Sequence, residues 1–417
     1  WRGPHTDRRP SRFAGHLPDS LLDRIPEDTA LLDYMLGPNQ SYVWVLTHQG
    51  LQMRRLTGSR TLEPLVDRFL ETLVEPRPTD AQFREHRRLG ERLYVELMGP
   101  VEDIVIARDP LVVAADQSLY ALPFEALIRP DRRERVDYVA REHVVSYTPS
   151  SAALDLLERR PPATAAPREG ALVFGAPDLD RPAIDLLALA DHVPRTGMFS
   201  MQKMFPNLPG GRAELQSIER QLAGRTDLAP VRRTGRRATE HFLRTTDLTR
   251  YQLIHLTTHG VSDARPLKGS PVGALDMRQP ALLLTQHPSE PEDGVLTLGE
   301  ILGYRTEAEL VVLSGCTTGR GWRALGDGAY GLAGAFVYAG ARHVIGSTWA
   351  VADRNTSELM GHIYRAIRTG ASPAEALNAG QRAMLAQRKN GHVLPPYFWA
   401  GFRLVGGLTA GGRQPAD

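Results

Sequence analysis

Short apolar runs alternate with amphipathic stretches along most of the chain, and the period of each run predicts its element. In Ser41-Tyr-Val-Trp-Val-Leu46 and Leu51-Gln-Met-Arg-Arg-Leu56, apolar and polar positions alternate on either side of a polar turn at His48-Gln49-Gly50, the pattern of a β-hairpin. Residues 61–73 and 83–97 repeat at helical spacing instead. Residues 111–115 and 118–122 read as a further strand pair, and 144–148 as a strand running into a helix from Ser150. Beyond Arg160 strand and helix succeed each other. The strands are expected at 171–175, 230–234, 253–257, 310–314 and 342–346, and the helices at 212–222, 239–245, 328–338, 355–367 and 373–387. The last helix opens on Ser372-Pro-Ala-Glu375, where serine can cap, glutamate can reciprocate and proline suits the first turn. Such a succession predicts an α/β fold with a mostly parallel, doubly wound sheet.

The segment 160–168 is dense in Pro and Ala and is the natural domain boundary. It would separate a first domain at 19–160 from a second at 161–407, with 408–417 as a tail. Residues 1–18, rich in Arg, Pro and His, read as a linker; the chain opens on Trp1 without a signal-peptide pattern, as a fragment of something longer would. Two insertions, 176–210 and 262–294, have little periodic character, and loops of that length are usually functional. The second is expected to be mobile before activation and to help form a substrate groove.

Composition narrows the function classes. A chain of 417 residues, 42% hydrophobic, can bury one large or two medium cores. Its 50 basic and 48 acidic residues nearly cancel, and no basic block interleaves with aromatics, so direct nucleic-acid binding is not expected. None of the lysines (Lys203, Lys268, Lys389) follows a phosphate-loop glycine pattern. Asp178 and Asp180 near His192 match no metal-ligand spacing and read as loop residues. The longest apolar run, 332–341, is far short of the roughly 20 residues that span a bilayer, so no membrane segment is expected. The single cysteine, Cys316, forbids an intramolecular disulfide and favours a cytoplasmic setting.

In open parallel sheets, sites form beyond the carboxyl ends of the strands. Two such ends carry chemistry: residues 253–257 lead into Thr258-His259-Gly260, and residues 310–313 into Ser314-Gly315-Cys316-Thr317-Thr318-Gly319. On adjacent strands His259 and Cys316 would lie side by side. An imidazole can then take the thiol proton and leave a nucleophilic thiolate. Gly260 and Gly315 would keep side chains out of the substrate's path, and the backbone N–H groups of Gly260 and Cys316 would hold an oxyanion. A lone cysteine or histidine is more often structural than catalytic, and His255, inside the strand, reads as a satisfied core residue. Position at a strand end beside a glycine is what sets His259 and Cys316 apart. Their separation of 57 residues is close to the roughly 50 of caspases, although the caspase motif around cysteine is absent.

Seven segments, in order, resemble one family: Ala121-Leu-Pro-Phe-Glu-Ala-Leu127, Ile254-His-Leu-Thr-Thr-His-Gly260, Asp293-Gly-Val-Leu-Thr-Leu298, Leu310-Val-Val-Leu-Ser-Gly-Cys-Thr-Thr-Gly-Arg320, Gly340-Ala-Arg-His-Val344, Trp349-Ala-Val-Ala-Asp353 and Pro396-Tyr-Phe-Trp-Ala400. Together they are similar to the CHAT family of caspase-like peptidases, related to separase and often fused to TPR repeats in bacteria. The resemblance implies a caspase-like three-layer sandwich, with residues 19–160 as a smaller inactive lobe before the catalytic one. It implies a cysteine endopeptidase with the dyad His259 and Cys316, needing no cofactor and no metal. It further implies a specific protein substrate, activation by a partner or upstream domain, and a bacterial defence or cell-death role. Ser314, Asp353 and Asp327 are the candidate substrate-binding residues, Asp353 for a basic residue before the scissile bond as in the separase branch, with Asp327 as the fallback; Asp353 reads equally as the N-cap of the helix that follows, and Arg320 and Arg323 keep the opposite preference open. Three positions depart from the family pattern: Thr317 for Glu, Asp327 for Glu between glycines, and Ala350 for Pro. The rival reading is a non-catalytic scaffold of the same fold that binds peptides or partner proteins.

Overall fold

The computed structural model describes residues 19–130, 136–160, 169–179, 208–261, 280–287, 289–315, 331–349, 353–389 and 392–408. The amino-terminal part comprises α1 (Asp19–Leu22), β1 (Ala30–Met35), β2 (Gln40–Thr47), β3 (Gly50–Thr57), α2 (Ser59–Leu73), α3 (Asp80–Leu97), β4 (Leu111–Ala114), β5 (Val145–Thr148) and α4 (Ser151–Glu158). Then come β6 (Glu169–Pro177), α5 (Pro209–Leu222), β7 (Pro230–Gly235), α6 (Glu240–Thr245) and β8 (Tyr251–Thr257). Three short strands follow, β9 (His259–Val261), β10 (Ala281–Leu283) and β11 (Val295–Thr297), with α7 (Leu298–Leu302) after them. The chain closes with β12 (Leu310–Ser314), α8 (Gly331–Tyr338), β13 (His343–Ser347), α9 (Asp353–Arg368), α10 (Pro373–Leu385) and β14 (Phe402–Gly406).

Among the described residues one sheet of 11 strands runs β3-β2-β1-β4-β5-β14-β13-β12-β8-β6-β7. Only the hairpin junctions β3-β2 and β2-β1 and the junction β14-β13 are antiparallel; the other junctions are parallel. Pleat alternation gives each strand two apolar faces. Leu31, Leu46, Val112 and Ala114 face Leu21 of α1 and Leu154 of α4, while Leu32, Val45, Leu111 and Val113 face α2 and α3 on the other side. In the second half α5 and α9 cover the face that carries His255. His255, Val312 and Ile345 are in register, so Gly346 points the opposite way, where Ala333 of α8 stands 3.7 Å from the site of an added Cβ. The result is a mixed α/β sandwich of three layers. Each fully buried Leu or Phe contributes about 2 kcal/mol, which makes the sheet a firm platform for what its strand ends carry.

The expected helices and strands of the second half are present, and the capping box of Ser372 and Glu375 is formed. Residues 118–122 are a correction: Gln117–Ala121 is a 3-10 turn, and the three-residue spacing of buried Leu119 and Leu122 fits that period better than a strand's. The segment 262–294 is a second one. Its described end holds β10, which pairs with β9 and β11 in a small sheet, because Ala281, Leu282 and Leu283 are all buried. Trp399, just ahead of the final strand, is fully buried. Across the boundary near Arg160 the sheet continues, β5 joining β14 through Tyr147 and Val405. Asn378 of α10 donates to the carbonyls of Ala140 (3.0 Å) and His143 (3.1 Å) across the same seam.

Candidate functional site

Strand order reverses between β6 and β8: β6 leads to β7 on one side, and the chain returns to lay β8 on the other. The crevice beyond the carboxyl ends at such a reversal is where open α/β sheets bind ligands. Here Thr257 ends β8, in register with Ser314 at the end of β12 and with Gly175 near the end of β6. Glycines make the junction possible. A Cβ on Gly175, whose φ is +134°, would stand 2.0 Å from the Thr257 carbonyl oxygen, and one on Gly211 would stand 2.8 Å from the Thr257 methyl carbon. A Cβ on Gly315 would stand 2.3 Å from the Thr258 carbonyl oxygen. The expectation that Gly315 clears a path for substrate is thus corrected: the Thr258 carbonyl fills the space where a side chain would be.

The chain turns immediately after Thr257. The Thr258 N–H donates to the Ser314 carbonyl (3.2 Å), and its hydroxyl donates to the Leu283 carbonyl. His259, buried, opens β9, where it pairs with Leu283 while Gly260 pairs with Leu282. The histidine is therefore fixed by a second sheet as well as by its own strand. On the far side the Ser347 hydroxyl donates to the Gly315 carbonyl, and Thr348 donates to the Gly401 carbonyl through its N–H (2.7 Å) and hydroxyl (2.9 Å). The Trp349 indole N–H donates to the Tyr397 carbonyl at 3.1 Å. Glu214, Thr257, Thr258, Ser314, Gly315 and Ser347 line a small cleft at these strand ends, walled by Trp349 and Phe402.

Beneath the turn lies a buried polar cluster. His255 is fully buried, with Nδ1 2.8 Å from the Tyr364 hydroxyl and Nε2 2.8 Å from both Glu214 Oε1 and Thr257 Oγ1. The Thr257 hydroxyl donates to the same Glu214 oxygen at 3.0 Å. Burial, and then the charge of Glu214, push the Tyr364 phenol well above its ordinary pKa, so it keeps its proton. His255 is the satisfied interior residue expected of it. Its partners Glu214 and Tyr364 went unread, although a signal exists. Glu214 falls on the same helical stripe as Ile218 and Leu222, where a carboxylate is out of place unless it has work to do.

The sequence matches the CHAT domain family over residues 87–407, more than half of the chain. This chain belongs to the CHAT family. The CHAT chain is 30% identical over 112 residues to tetratricopeptide repeat protein 28 of Mus musculus; the match takes in 27% of this chain and 4% of that protein. Among solved structures it is similar to a chain of the Saccharomyces cerevisiae separase–securin complex, with a TM-score of 0.48 and 9% identity over 93% of this chain and 31% of that one. It is also similar to the Arg-specific cysteine proteinase gingipain R, with a TM-score of 0.42 and 11% identity over 84% of this chain and 74% of that one. Of the residues expected in the CHAT site, His259, Gly260 and Ser314 come together at the β8 and β12 ends. Asp353 is the first residue of α9. Cys316 and Asp327 lie outside the described residues, as do Asp180 and His192 of the discounted metal set. The Asp178 backbone N–H donates to the Thr285 hydroxyl at 2.9 Å. Among the described residues no group of acids, histidines and cysteines is arranged to hold a metal ion, and no helix is long and apolar enough to cross a membrane.

Proposed function

We propose that this CHAT protein is a cysteine endopeptidase in which Cys316 is the nucleophile and His259 the base. The register of β8 and β12 carries the reading: Thr257 pairs with Ser314, and His259 and Cys316 each follow their paired residue by two positions. Gly315, bonded to Cys316, packs against the turn that holds His259, and the Gly260 nitrogen is 3.5 Å from where a Gly315 Cβ would stand. His259 takes the thiol proton, and the thiolate attacks the scissile carbonyl carbon. The N–H groups of Gly260 and Cys316 hold the resulting oxyanion, each donor contributing about 3 kcal/mol. Collapse to a thioester expels the amine, which His259 protonates; His259 then deprotonates the water that frees Cys316. This sequence of steps calls for no metal or organic cofactor.

Ser314 lines the cleft beside Gly315, and with it Asp353, or Asp327 in its place, forms the specificity pocket and selects a basic side chain by bidentate pairing. Residues 19–160 act as a non-catalytic lobe on the shared sheet. The matched relative is named for tetratricopeptide repeats, helical arrays that present extended binding surfaces; a module of that kind, upstream or in a partner, admits the protein substrate. A lone nucleophilic cysteine suits the reducing cytoplasm. The test is hydrolysis of a positional-scanning peptide library by the wild type, Cys316→Ala and His259→Ala. Hydrolysis by the wild type alone, with a preference for Arg or Lys, is expected. Undiminished hydrolysis by Cys316→Ala would refute the reading, since no second cysteine exists to substitute.

A further inference from the structure

We infer that Glu214 is a positioning residue for His259, acting through His255 and Thr257; the inference rests on the reading of His259 and Cys316 as a dyad. The Glu214 residue is 2% exposed and Tyr364 and His255 are fully buried. One assignment of protons satisfies every member. The Tyr364 hydroxyl donates to Nδ1 of His255, and Nε2–H and the Thr257 hydroxyl both donate to Glu214 Oε1. A histidine, backed by a tyrosine, and a threonine thus converge on one carboxylate, and bonds to an ionised acceptor are roughly twice as strong as neutral ones.

Burying a carboxylate is costly before those bonds offset it. An apolar residue on the same stripe of α5, beside Leu215, Ile218 and Leu222, would fill the core without that cost. What the carboxylate adds is a fixed point. Thr257 is two residues before His259, and its hydroxyl reaches Glu214 of α5. With the hydroxyl held, the backbone of Thr257 sits against Gly175 and its methyl group against Gly211, and the backbone of Thr258 sits against Gly315. The remaining freedom of the turn is small, so the imidazole of His259 enters the site from a set origin. Glu214 also lines the cleft itself, which places the anchor at the floor of the site rather than in a remote part of the core. Its effect on the reaction is therefore on alignment, and it is read in how well the cysteine is kept as a thiolate.

The single cysteine makes that readable without a substrate. Alkylation of the whole chain by iodoacetamide is followed from acid to alkaline pH in the wild type, His259→Ala, Glu214→Gln and Thr257→Val, with melting recorded for each. A free thiol ionises near about 8.5, and pairing with His259 adds a reactive limb at lower pH. Glu214→Gln and Thr257→Val are expected to melt cooperatively yet react about 10-fold more slowly on the low-pH limb, short of the roughly 100-fold that a misplacement of about 1 Å costs. Their alkaline rates should match the wild type. If both variants only melt earlier and keep the wild-type profile, while His259→Ala loses the limb, Glu214 is core filling and the inference is overturned with the dyad intact. A wild type without the limb, or a His259→Ala variant that keeps it, removes the dyad reading and the inference with it.

Discussion

Each half of the sheet buries a carboxylate in a cluster that includes a tyrosine, and the two clusters serve different ends. In the first half Glu125 accepts from the Tyr147 hydroxyl, and the same hydroxyl accepts from the Phe124 N–H at 2.8 Å. Arg403, from β14, lies over the Tyr147 ring at 4.9 Å and donates to the Tyr120 carbonyl at 2.7 Å and to that of Ala121. Burial pushes the Glu125 carboxyl up and the Arg403 charge draws it back. That cluster closes on itself across the seam between β5 and β14. In the second half Glu214 pairs with a histidine and a threonine, lines a cleft, and holds the residue two before His259. An arginine reaching across the seam makes the first carboxylate part of a clamp; an open cleft and a bond to the strand end beside His259 make the second a positioning device.

Four experiments sharpen or break that contrast. The largest effect belongs to Gly175→Ala, where positive φ and a 2.0 Å approach to the Thr257 carbonyl coincide. We expect a loss of about 4 kcal/mol or more in urea denaturation. Gly50→Ala in the first-half hairpin, with φ +126° but nothing within 4 Å of the added Cβ, should lose only about 1 kcal/mol. Equal losses would show that φ alone, and not crowding at the site, sets the glycine requirement. Next, Arg403→Met should lose about 3 kcal/mol by leaving Glu125 without its cation, and leave the pH profile of Cys316 alkylation unchanged. A lost low-pH limb there would mean that the two clusters are coupled.

His255→Gln comes third, with a loss of about 2 kcal/mol from unmatched buried donors and acceptors, and, unlike Arg403→Met, a weakened low-pH limb. The smallest effect is in pH dependence. Burial, then Glu300 and Asp293, push Glu240 up to about 7. Because its pKa is raised, its contribution favours the fold when the carboxyl is protonated. That contribution is complete below the ordinary value of about 4.3 and is lost as pH rises through about 7. Melting temperatures should fall over that interval, and Glu240→Gln should flatten the fall; an unchanged slope in the variant would assign it to other groups.

What the sequence discloses is mainly local. The hairpin of β2 and β3, the capping box at Ser372 and the apolar strands β8 and β12 follow from turn chemistry and period within a few residues. The pairing of Thr257 with Ser314 needed only the further rule that successive parallel strands lie side by side. Less legible is whatever depends on distant partners. β1 carries Leu31, Leu32 and Tyr34 buried on both faces, so it has no alternation to announce it. β10 is three residues long and is a strand only because β9 and β11 flank it. Gly315 could be read as room for substrate until the Thr258 carbonyl was placed against it. Glu214 and Tyr364 stand 41 and 109 residues from His255, and no local pattern joins them, although a carboxylate on an apolar helical stripe marks Glu214 as unusual.

The central claim, that Cys316 is a nucleophile armed by His259, is tested most directly by a peptidyl acyloxymethyl ketone carrying arginine next to the reactive group. Intact-mass analysis of the whole chain should find one adduct, mapped to Cys316. Labelling should be abolished in Cys316→Ala and slowed by at least about 100-fold in His259→Ala, as expected when nucleophile and base act as a unit. Labelling of the wild type no faster than of His259→Ala, or an adduct at any other residue, would contradict the account.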